Sequence, residues 1–487
     1  MILSFDPDSL PLPIGHFIGS RLVPAEGLID MHRPSDGKPY AGCPLADEVL
    51  VDRAVETAKK ALKASNWGGV RPRERTVVLQ RWADLIESEA ETLAKLEALS
   101  STRPIGHLVA GDIAVSAEQI RFFAEFADKE GSDLVPTDDS NLGMIMTEPY
   151  GVVGAITPWN FPVSMAAWKL GPALAAGNAV VLKPSEMTPF STVYLAELAI
   201  RAGLPAGLIN IVLGDGAVTG NAITGHPDIA KVSFTGSTGA GSAIMANIAR
   251  TGIKPMTLEL GGKSPQLVFA DADLNKAAAA IAQSILSNAG QACVAGSRLI
   301  VEESIAAPLA EAIIARFWEV EAGPTWHETT QYSPIISKRQ LNRIHDVVQS
   351  TVATGAECLA GGRPMDSYGY FYEPTLIAGV DQSSPAVAEE IFGPVLTLQT
   401  FADEEEALAL ADHPTYGLAA GLFTRDLSRA LRLTRRLQAG TVWVNRYGRS
   451  RDHILPTGGH KRSGIGKDLG REVYHANRKS KSVLISL

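Results

Sequence analysis

The sequence predicts an α/β protein with two sheet-containing domains. From Gly151 onward, short apolar runs each end in Gly, Pro, Thr or Ser, and most are followed by a helical pattern. Such alternation is typical of parallel strands in βαβ units. The chain has 487 residues, of which 45% are hydrophobic and 20% charged, so it is too long for a single hydrophobic core and two or three domains are expected.

The individual elements follow from local patterns. Apolar residues at helical spacing over residues 74–99 predict one amphipathic surface helix. Strands are predicted over residues 151–156, 179–182, 209–213 and 232–234. Thr188 as N-cap and Pro189 as the first helical residue predict a helix over residues 190–202, closed by Gly203.

A second alternation of strand and helix patterns follows Gly262 and continues to about Gly440, which predicts a second α/β domain. It includes an Ala-rich helix over residues 275–288 that leads into the loop of Cys293. The apolar residues 481–487 predict a C-terminal strand. That strand is either an internal edge strand or one that pairs with another subunit.

Composition limits the function classes. The net charge of −9 is spread along the chain, which argues against nucleic acid and an anionic membrane as partners. No segment approaches the roughly 18 apolar residues of a membrane span, and the N-terminus lacks a signal-peptide pattern. Three cysteines without CxxC spacing predict neither disulfides nor a metal site. We therefore expect a cytoplasmic protein that acts on a small molecule.

Cys293 and Glu259 are the candidate reactive residues. A thiolate can attack an aldehyde, the thiohemiacetal can give up hydride, and a carboxylate can activate water to hydrolyse the resulting thioester. Glycine-bearing segments beside both residues allow backbone N–H groups to approach a reacting atom. The alternatives are a buried structural cysteine and a strand-end carboxylate in an ion pair. We expect the site to favour the Cys293 thiolate.

The segment from Phe234 to Gly241 predicts a cofactor site. It follows a predicted strand and opens a helix, where backbone N–H groups and the helix dipole can hold a pyrophosphate. Lys183 and Glu186, at the end of a neighbouring strand, could bind ribose hydroxyls. Glu186 would repel a 2′-phosphate, which favours NAD and leaves NADP as the alternative. A tight turn without a ligand is the other interpretation.

Seven motifs occur in one order: TPWNFP at 157–162, KPSE at 183–186, FTGST at 234–238, ELGGK at 259–263, GQAC at 290–293, EIFGP at 390–394 and GGHKRSG at 458–464. With them the chain resembles the aldehyde dehydrogenase superfamily from about Trp67 to Val483. The resemblance implies a Rossmann-like NAD-binding domain (1–130 and 151–261), an α/β catalytic domain (262–465) and a small β oligomerisation flap (131–150 and 466–487). It also implies a homodimer or homotetramer.

The resemblance implies roles for individual residues. Cys293 is the expected nucleophile, and Glu259 the base that activates water. Asn160 is the expected side-chain donor of an oxyanion hole shared with the Cys293 N–H, and Lys169 the proton-relay lysine. The expected cofactor residues are Ile156, Thr157, Pro158, Trp159, Lys183, Ser185, Glu186, Gly216, Gly220, Phe234, Thr235, Gly236, Ser237, Leu260, Gly261, Glu390 and Phe392.

Two departures from the family pattern concern the substrate pocket. The chain has Ser287-Asn288-Ala289 before the cysteine and Thr457 in the usual PFGG segment, so two aromatic walls are missing and bulky, aromatic or long-chain aldehydes are expected. Arg446, Arg449 and Arg451 could hold an anionic group, or they form a solvated or subunit-facing charge run. The expected pocket residues are Phe161, Met165, Trp168, Ser287, Ala292, Val294, Arg449, Arg451 and Thr457.

The predicted function is NAD-dependent oxidation of an aldehyde to a carboxylic acid. A cysteine hydrolase is disfavoured because no histidine occurs in an evident pairing motif. A CoA-acylating semialdehyde dehydrogenase releases its thioester to a thiol, and relatives of that type lack the base that Glu259 provides. A non-catalytic scaffold would be expected to lose Cys293 or Glu259, and both are present.

Overall fold

The computed structural model describes residues 3–24, 27–366 and 369–487. Within them the strands are β1 His16–Ile18, β2 Arg21–Val23, β3 Leu28–His32, β4 Pro39–Pro44, β5 Asp133–Val135, β6 Asn141–Pro149, β7 Val152–Ile156, β8 Ala179–Lys183, β9 Ile209–Ile211, β10 Lys231–Thr235, β11 Met256–Glu259, β12 Pro265–Val268, β13 Arg298–Glu302, β14 Glu357–Ala360, β15 Thr375–Ala378, β16 Val395–Phe401, β17 Tyr416–Gly417, β18 Ala419–Phe423, β19 Thr441–Val444, β20 His460–Lys461, β21 Gly464–Ile465 and β22 Arg478–Ser486.

The α-helices of the same residues are α1 Glu48–Ser65, α2 Pro72–Ser88, α3 Ala90–Ser100, α4 Ile105–His107, α5 Ala114–Phe126, α6 Pro162–Ala175, α7 Phe190–Arg201, α8 Asn221–Gly225, α9 Thr238–Thr251, α10 Leu274–Leu286, α11 Ala306–Phe317, α12 Lys338–Ala353, α13 Pro385–Ala388, α14 Glu404–Ala411, α15 Leu427–Arg436 and α16 Gly470–Ala476. No helix in this described part of the chain is both long and apolar enough to span a membrane.

The first sheet contains the strands predicted from residue 151 onward. Its order is β2-β1-β9-β8-β7-β10-β11-β21, and the five strands from β9 to β11 in that order are parallel. The residues of β7, β8, β9 and β10 are buried, as expected for a parallel sheet covered on both faces. Strand order reverses between β7 and β10, so a ligand crevice is expected at their carboxyl ends. The predicted α/β fold is confirmed.

The second sheet has the order β14-β15-β16-β13-β12-β18-β19. Its strands are parallel except for β14, which runs antiparallel to β15. A separate core forms against it, in which Ile281 and Ile285 of α10 pack with Leu299 of β13 and Ile313 of α11. The Cys293 loop joins α10 to the amino end of β13, and it therefore lies between the two cores.

A third, antiparallel sheet has the order β22-β6-β5. Strand β22 pairs with β6 along its whole length, from Arg478 opposite Pro149 to Ser486 opposite Asn141. The C-terminal strand therefore begins at Arg478, before the predicted residue 481, and it pairs within the chain on one side. Its other side is the edge of the sheet, and contact there with a second subunit stays a prediction.

The single surface helix predicted over residues 74–99 is wrong. The chain forms α2 and α3, separated at Glu89 with φ −103° and ψ 17°. The Glu89 carboxylate accepts hydrogen bonds from Arg201 and Tyr194, contacts with α7 that hold the break in place. Helix α3 is also largely buried, and its Glu97 is fully buried. The helix is buried on more than one face because it also packs against α7.

Two helix boundaries also differ from the predictions. Pro189, not Thr188, is the N-cap of α7, because the Pro189 carbonyl accepts the first helical bond from Val193. The Thr188 N–H instead donates to Ser185 O in the preceding turn. The helix predicted to reach Asn288 ends at Leu286, since the next turn adopts left-handed backbone.

Candidate active site

The predicted cofactor residues lie where strands β7, β8 and β10 end. Ile156 is the last residue of β7, and the N–H of the next residue, Thr157, donates to Lys183 O at 3.0 Å. Thr157 Oγ1 and Thr235 Oγ1 are buried and have no hydrogen-bond partner among the described residues. Since the switch point lies between β7 and β10, these two residues lie at the strand ends where a dinucleotide binds in such sheets.

The turn from β10 to α9 forms a cradle of backbone N–H groups. Ser237 is the N-cap, and its hydroxyl accepts from Ala240 N at 3.2 Å. A Cβ on Gly236 would lie 2.5 Å from Cζ of Phe234, so only glycine fits there without displacing that ring. The free N–H groups and the helix dipole at this end of α9 suit a pyrophosphate.

Lys183 and Glu186 are close together after β8. Lys183 Nζ donates to Pro184 O at 2.9 Å and to Gly214 O at 2.6 Å, and lies 3.5 Å from Glu186 Oε2. Burial lowers the pKa of Lys183, while Glu186 acts in the opposite direction. Three other places in this region carry predicted residues. Pro158 follows β7, and the hydroxyl of Ser185 accepts a hydrogen bond from Met187 N. Gly216 and Gly220 are the two ends of a π-helical turn.

The loop that carries Cys293 is held by a left-handed turn. Asn288, Ala289 and Gly290 have φ values of 52°, 49° and 69°. A Cβ on Gly290 would lie 2.1 Å from Gly393 O, so this position needs glycine for both conformation and space. The buried Gln291 side chain ties the loop to the catalytic core by donating to Pro334 O at 2.9 Å and accepting from Ile336 N at 2.9 Å.

Asn160 lies against this loop. Its Nδ2 donates to Gln291 O at 2.9 Å, and its own carbonyl accepts from Asn288 Nδ2 at 3.1 Å. Asn288 Oδ1 in turn accepts from Thr102 Oγ1 at 2.6 Å. The predicted oxyanion donor and the Cys293 loop are therefore joined by buried hydrogen bonds, which fix their relative positions.

The electrostatics of Cys293 correct one expectation. Burial raises the pKa of the thiol to about 11, Arg449 acts against this, and the carboxyl groups of Glu259 and Glu390 raise the pKa further. The expectation that the site favours the thiolate is wrong for this structure, since desolvation and two carboxyl groups outweigh one guanidinium. Cys293 as a whole residue is nonetheless partly exposed.

Glu259, at the carboxyl end of β11, is only 2% exposed. Burial raises the pKa of Glu259 to about 8, as does Asp468, while Arg449, Lys169 and Lys467 lower it. Its Oε1 has no hydrogen-bond partner among the described residues. A carboxyl group with a pKa near neutrality and a free oxygen suits a general base.

Lys169 forms a fully buried ion pair with Asp468. Asp468 raises the pKa of Glu259 and Lys169 lowers it, so the lysine predicted as a proton relay acts electrostatically on the predicted base. Lys231, also buried, donates to Thr257 Oγ1 at 3.0 Å, and burial lowers the pKa of Lys231 to about 8 while Asp468 raises it. Sequence reasoning missed Asp468 and Lys231, because no motif spacing links either residue to Glu259.

Glu390 and Phe392 contact two of the other predicted segments. Glu390 Oε1 accepts from Gly262 N at 3.0 Å, and burial raises the pKa of Glu390 to about 7. A Cβ on Gly261 would lie 2.1 Å from Glu390 Oε2, so the backbone after Leu260 packs directly on this carboxyl group. The Phe392 and Trp159 rings pack edge to face, 5.3 Å between centroids.

The comparisons with known proteins agree with this geometry. Residues 23–483 match the model of the aldehyde dehydrogenase family. The chain belongs to that family. It is 42% identical over 460 residues to an aldehyde dehydrogenase of Aspergillus niger, which covers 94% of this chain and 92% of the relative. It is 38% identical to the cytosolic 10-formyltetrahydrofolate dehydrogenase of Xenopus tropicalis, which covers 98% of this chain but only 54% of that protein, so the chain spans about half its length.

Solved structures of aldehyde dehydrogenases superpose closely. An indole-3-acetaldehyde dehydrogenase in complex with NAD⁺ gives a TM-score of 0.96 at 39% identity and covers 99% of this chain and 98% of the neighbour. The NAD⁺ complex of a Bacillus cereus aldehyde dehydrogenase gives 0.96 at 37% identity and covers 100% of both chains. The family predicted from seven motifs is confirmed, and the match begins at residue 23, before Trp67.

The predicted pocket residues differ in their surroundings. Met165, Trp168 and Thr457 are buried, whereas Ser287, Ala292 and Val294 are partly exposed. The ring of Phe161 lies 4.9 Å from the guanidinium of Arg103. Arg449 stacks on Trp168, with Cζ 4.5 Å from the ring centroid. Arg451 instead pairs with Glu118 at 2.7 Å and donates to Ala110 O at 2.8 Å.

Proposed function

We propose that the protein oxidises an aldehyde to a carboxylic acid with NAD, through a covalent adduct on Cys293. The observation that carries the proposal is the meeting of the Cys293 loop, the Asn160 amide and the Glu259 carboxyl group between the two cores. Asn160 Nδ2 contacts the loop at Gln291 O, and Gly262, three residues after Glu259, packs against the Cys293 carbonyl. A nucleophile, an oxyanion donor and a base are thus available together.

The first half of the reaction forms a thioester. The Cys293 sulfur bonds to the aldehyde carbon, and its proton passes to Glu259, whose pKa near 8 suits an acceptor for a weakly acidic thiol. The resulting oxyanion is held by Asn160 Nδ2 and the Cys293 N–H. NAD supplies, when bound, a hydride acceptor at the reacting carbon. With the hydride lost, the carbonyl re-forms as the thioester of Cys293.

The second half hydrolyses that thioester. Glu259, once its proton has been released, takes a proton from water while the water oxygen bonds to the acyl carbon. The carbon–sulfur bond then breaks, the carboxylic acid leaves and Cys293 is restored. The neighbouring Lys169–Asp468 ion pair offers a path for the proton away from Glu259. Because Glu259 supplies this base, hydrolysis is favoured over transfer of the acyl group to CoA.

The residues at the strand ends fit NAD. The unpartnered hydroxyls of Thr157 and Thr235 and the N–H groups that begin α9 lie at the switch point of the sheet, and Lys183 and Glu186 suit the adenine ribose. Because Glu186 is partly exposed and close to Lys183, its carboxylate would repel a 2′-phosphate and favour NAD over NADP.

Pocket composition favours bulky, aromatic or long-chain aldehydes. Ser287 and Thr457 replace larger side chains expected from the family pattern, so a small aldehyde such as acetaldehyde would make few apolar contacts. We also propose a cytoplasmic homodimer or homotetramer. The open edge of β22 supports this assembly, since an unpaired strand edge is a template for pairing with a second chain.

The test is NADH formation with short, long and aromatic aldehydes, in parallel with NADP. Cys293→Ala should abolish activity with every aldehyde, while Cys358→Ala, a change at an exposed cysteine of β14, should preserve it. Activity that survives in Cys293→Ala would refute the covalent mechanism. No NADH from any aldehyde, with NAD still bound, would favour the scaffold alternative.

A further inference from the structure

Arg449 is a half-buried arginine on the substrate side of the site. Its guanidinium stacks on the indole of Trp168, with Cζ 4.5 Å from the ring centroid. Among the residues that the structure describes, it takes part in no hydrogen bond and no ion pair. A guanidinium with five donors and no anionic partner, held against an aromatic face, is available to a ligand.

The segment around Arg449 is anchored on both sides. Two residues before it, Tyr447 donates its hydroxyl proton to Val294 O at 2.8 Å, directly after the nucleophile Cys293. Two residues after it, Arg451 forms its ion pair with Glu118 of α5. These anchors limit the movement of Arg449, so binding an anion there orders few additional groups.

Three other cations around the pocket have carboxylate partners. Arg103 pairs with Asp112 at 2.7 Å, Arg451 with Glu118, and Lys169 with Asp468. Arg449 is also near enough to Cys293 and Glu259 to lower the pKa of both, although burial has the larger effect and raises each pKa. Its positive charge therefore acts within the site and has no compensating carboxylate at contact distance among the described residues.

We infer that Arg449 is the recognition site for a carboxylate at the far end of the aldehyde, so that the preferred substrates are aldehydes that also carry a carboxylate. The planar guanidinium can bind both carboxylate oxygens, while the carbon chain or ring between the two groups packs on Trp168. This inference rests on the proposed aldehyde oxidation and names its substrate class. The inference also gives Arg449 a different role from Arg451, although the sequence alone does not distinguish the roles of these two arginines.

The test uses aldehydes paired by charge. Adipic semialdehyde is compared with hexanal, and 4-carboxybenzaldehyde with benzaldehyde. In Arg449→Gln, KM for both charged aldehydes should rise by about 10- to 100-fold, as expected when a partly buried charge-assisted pair is lost, and KM for the neutral partners should stay unchanged. A change in kcat is expected to be the same for charged and neutral aldehydes, because the guanidinium lowers the pKa of Cys293 and Glu259 whichever aldehyde is bound. Arg449→Lys should recover part of the loss, because it keeps the charge without the bidentate geometry.

The matched control is Arg446→Gln, a change at an exposed arginine of the same segment that donates only to Gly448 O at 3.3 Å among the described contacts. This control should leave both members of each pair unchanged. An equal rise in KM for charged and neutral aldehydes, or a change confined to kcat, in Arg449→Gln would mean that Arg449 acts only on Cys293 or Glu259, and would overturn the inference. Unchanged kinetics for both would also overturn it. Wild-type protein that oxidises no aldehyde would instead overturn the proposed function, and the inference with it.

Discussion

Asn288 should position both the nucleophile loop and the oxyanion donor, although it touches neither substrate nor sulfur. Its side chain donates to Asn160 O at 3.1 Å and to Gln291 O at 3.3 Å, and accepts from Thr102 at 2.6 Å. Its backbone is left-handed, with φ 52°. Replacing it with Ala removes these buried hydrogen bonds and places an unsuited residue in a left-handed turn.

The expected cost can be worked out from these contacts. Two good buried hydrogen bonds contribute about 1 kcal/mol each, and left-handed backbone costs Ala about 1 kcal/mol more than Asn. Asn288→Ala should therefore lower the free energy of unfolding by about 3 kcal/mol, and Asn288→Gly, which tolerates the backbone, by about 2 kcal/mol. Because Asn160 would lose its support, kcat should fall by about 10- to 100-fold in both variants, with KM for NAD unchanged.

The assay combines urea denaturation with steady-state kinetics. Thr102→Val serves as the matched partner change, since it removes only the hydrogen bond to Asn288 Oδ1 and should produce a smaller loss of both stability and kcat. Equal destabilisation by Ala and Gly would refute the argument from left-handed backbone. Wild-type kcat in Asn288→Ala would refute the positioning role, whatever the change in stability.

Three further predictions follow from the site. Burial raises the pKa of Glu259 to about 8 and that of Cys293 to about 11, so the carboxylate and the thiolate accumulate as pH rises. A kcat limited by hydrolysis should therefore increase up to about pH 8 and then level off, and alkylation of the thiol should keep accelerating toward pH 11. Flat profiles from pH 6 to 9 would contradict both shifts. Gly290→Ala should prevent stable folding, because its Cβ clashes with the backbone. Gly203→Ala, at φ 96° but with open space around it, should lower the free energy of unfolding measured by urea denaturation by only about 1 kcal/mol, and similar stabilities of the two variants would show that the clash is relieved. Glu186→Ser should raise kcat/KM for NADP relative to NAD, and an unchanged ratio would remove Glu186 from the ribose site.

The sequence is most informative where a prediction depends on residue type within a short motif. Cys293 and Glu259 each stand in a glycine-bearing segment at an element boundary, and both parallel sheets follow from apolar runs with turn residues. Local patterns could not show what distant contacts decide. Arg201 of α7 holds the break at Glu89, and no periodicity in residues 74–99 contains that contact.

The same limit applies inside the site. Asp468 forms an ion pair with Lys169 and raises the pKa of Glu259, but it is far from both residues in the chain and belongs to no shared motif. Arg449 and Arg451 look equivalent in the sequence, and only Glu118 on α5 distinguishes the paired arginine from the unpaired one. The direction of the Cys293 pKa shift was missed because burial depends on the packing of both cores around the loop.

The most direct test of the proposed mechanism is rapid-mixing kinetics of Glu259→Gln with a good aldehyde substrate and NAD. Glu259 also takes the Cys293 proton in the first half-reaction, but water can replace it there, whereas hydrolysis of the thioester needs the carboxylate. We therefore predict a slowed burst of NADH that still approaches one equivalent per active site, followed by very slow turnover. Mass spectrometry should then find the acyl group on Cys293. Steady-state turnover at the wild-type rate, or a burst without an acyl adduct on Cys293, would contradict the account.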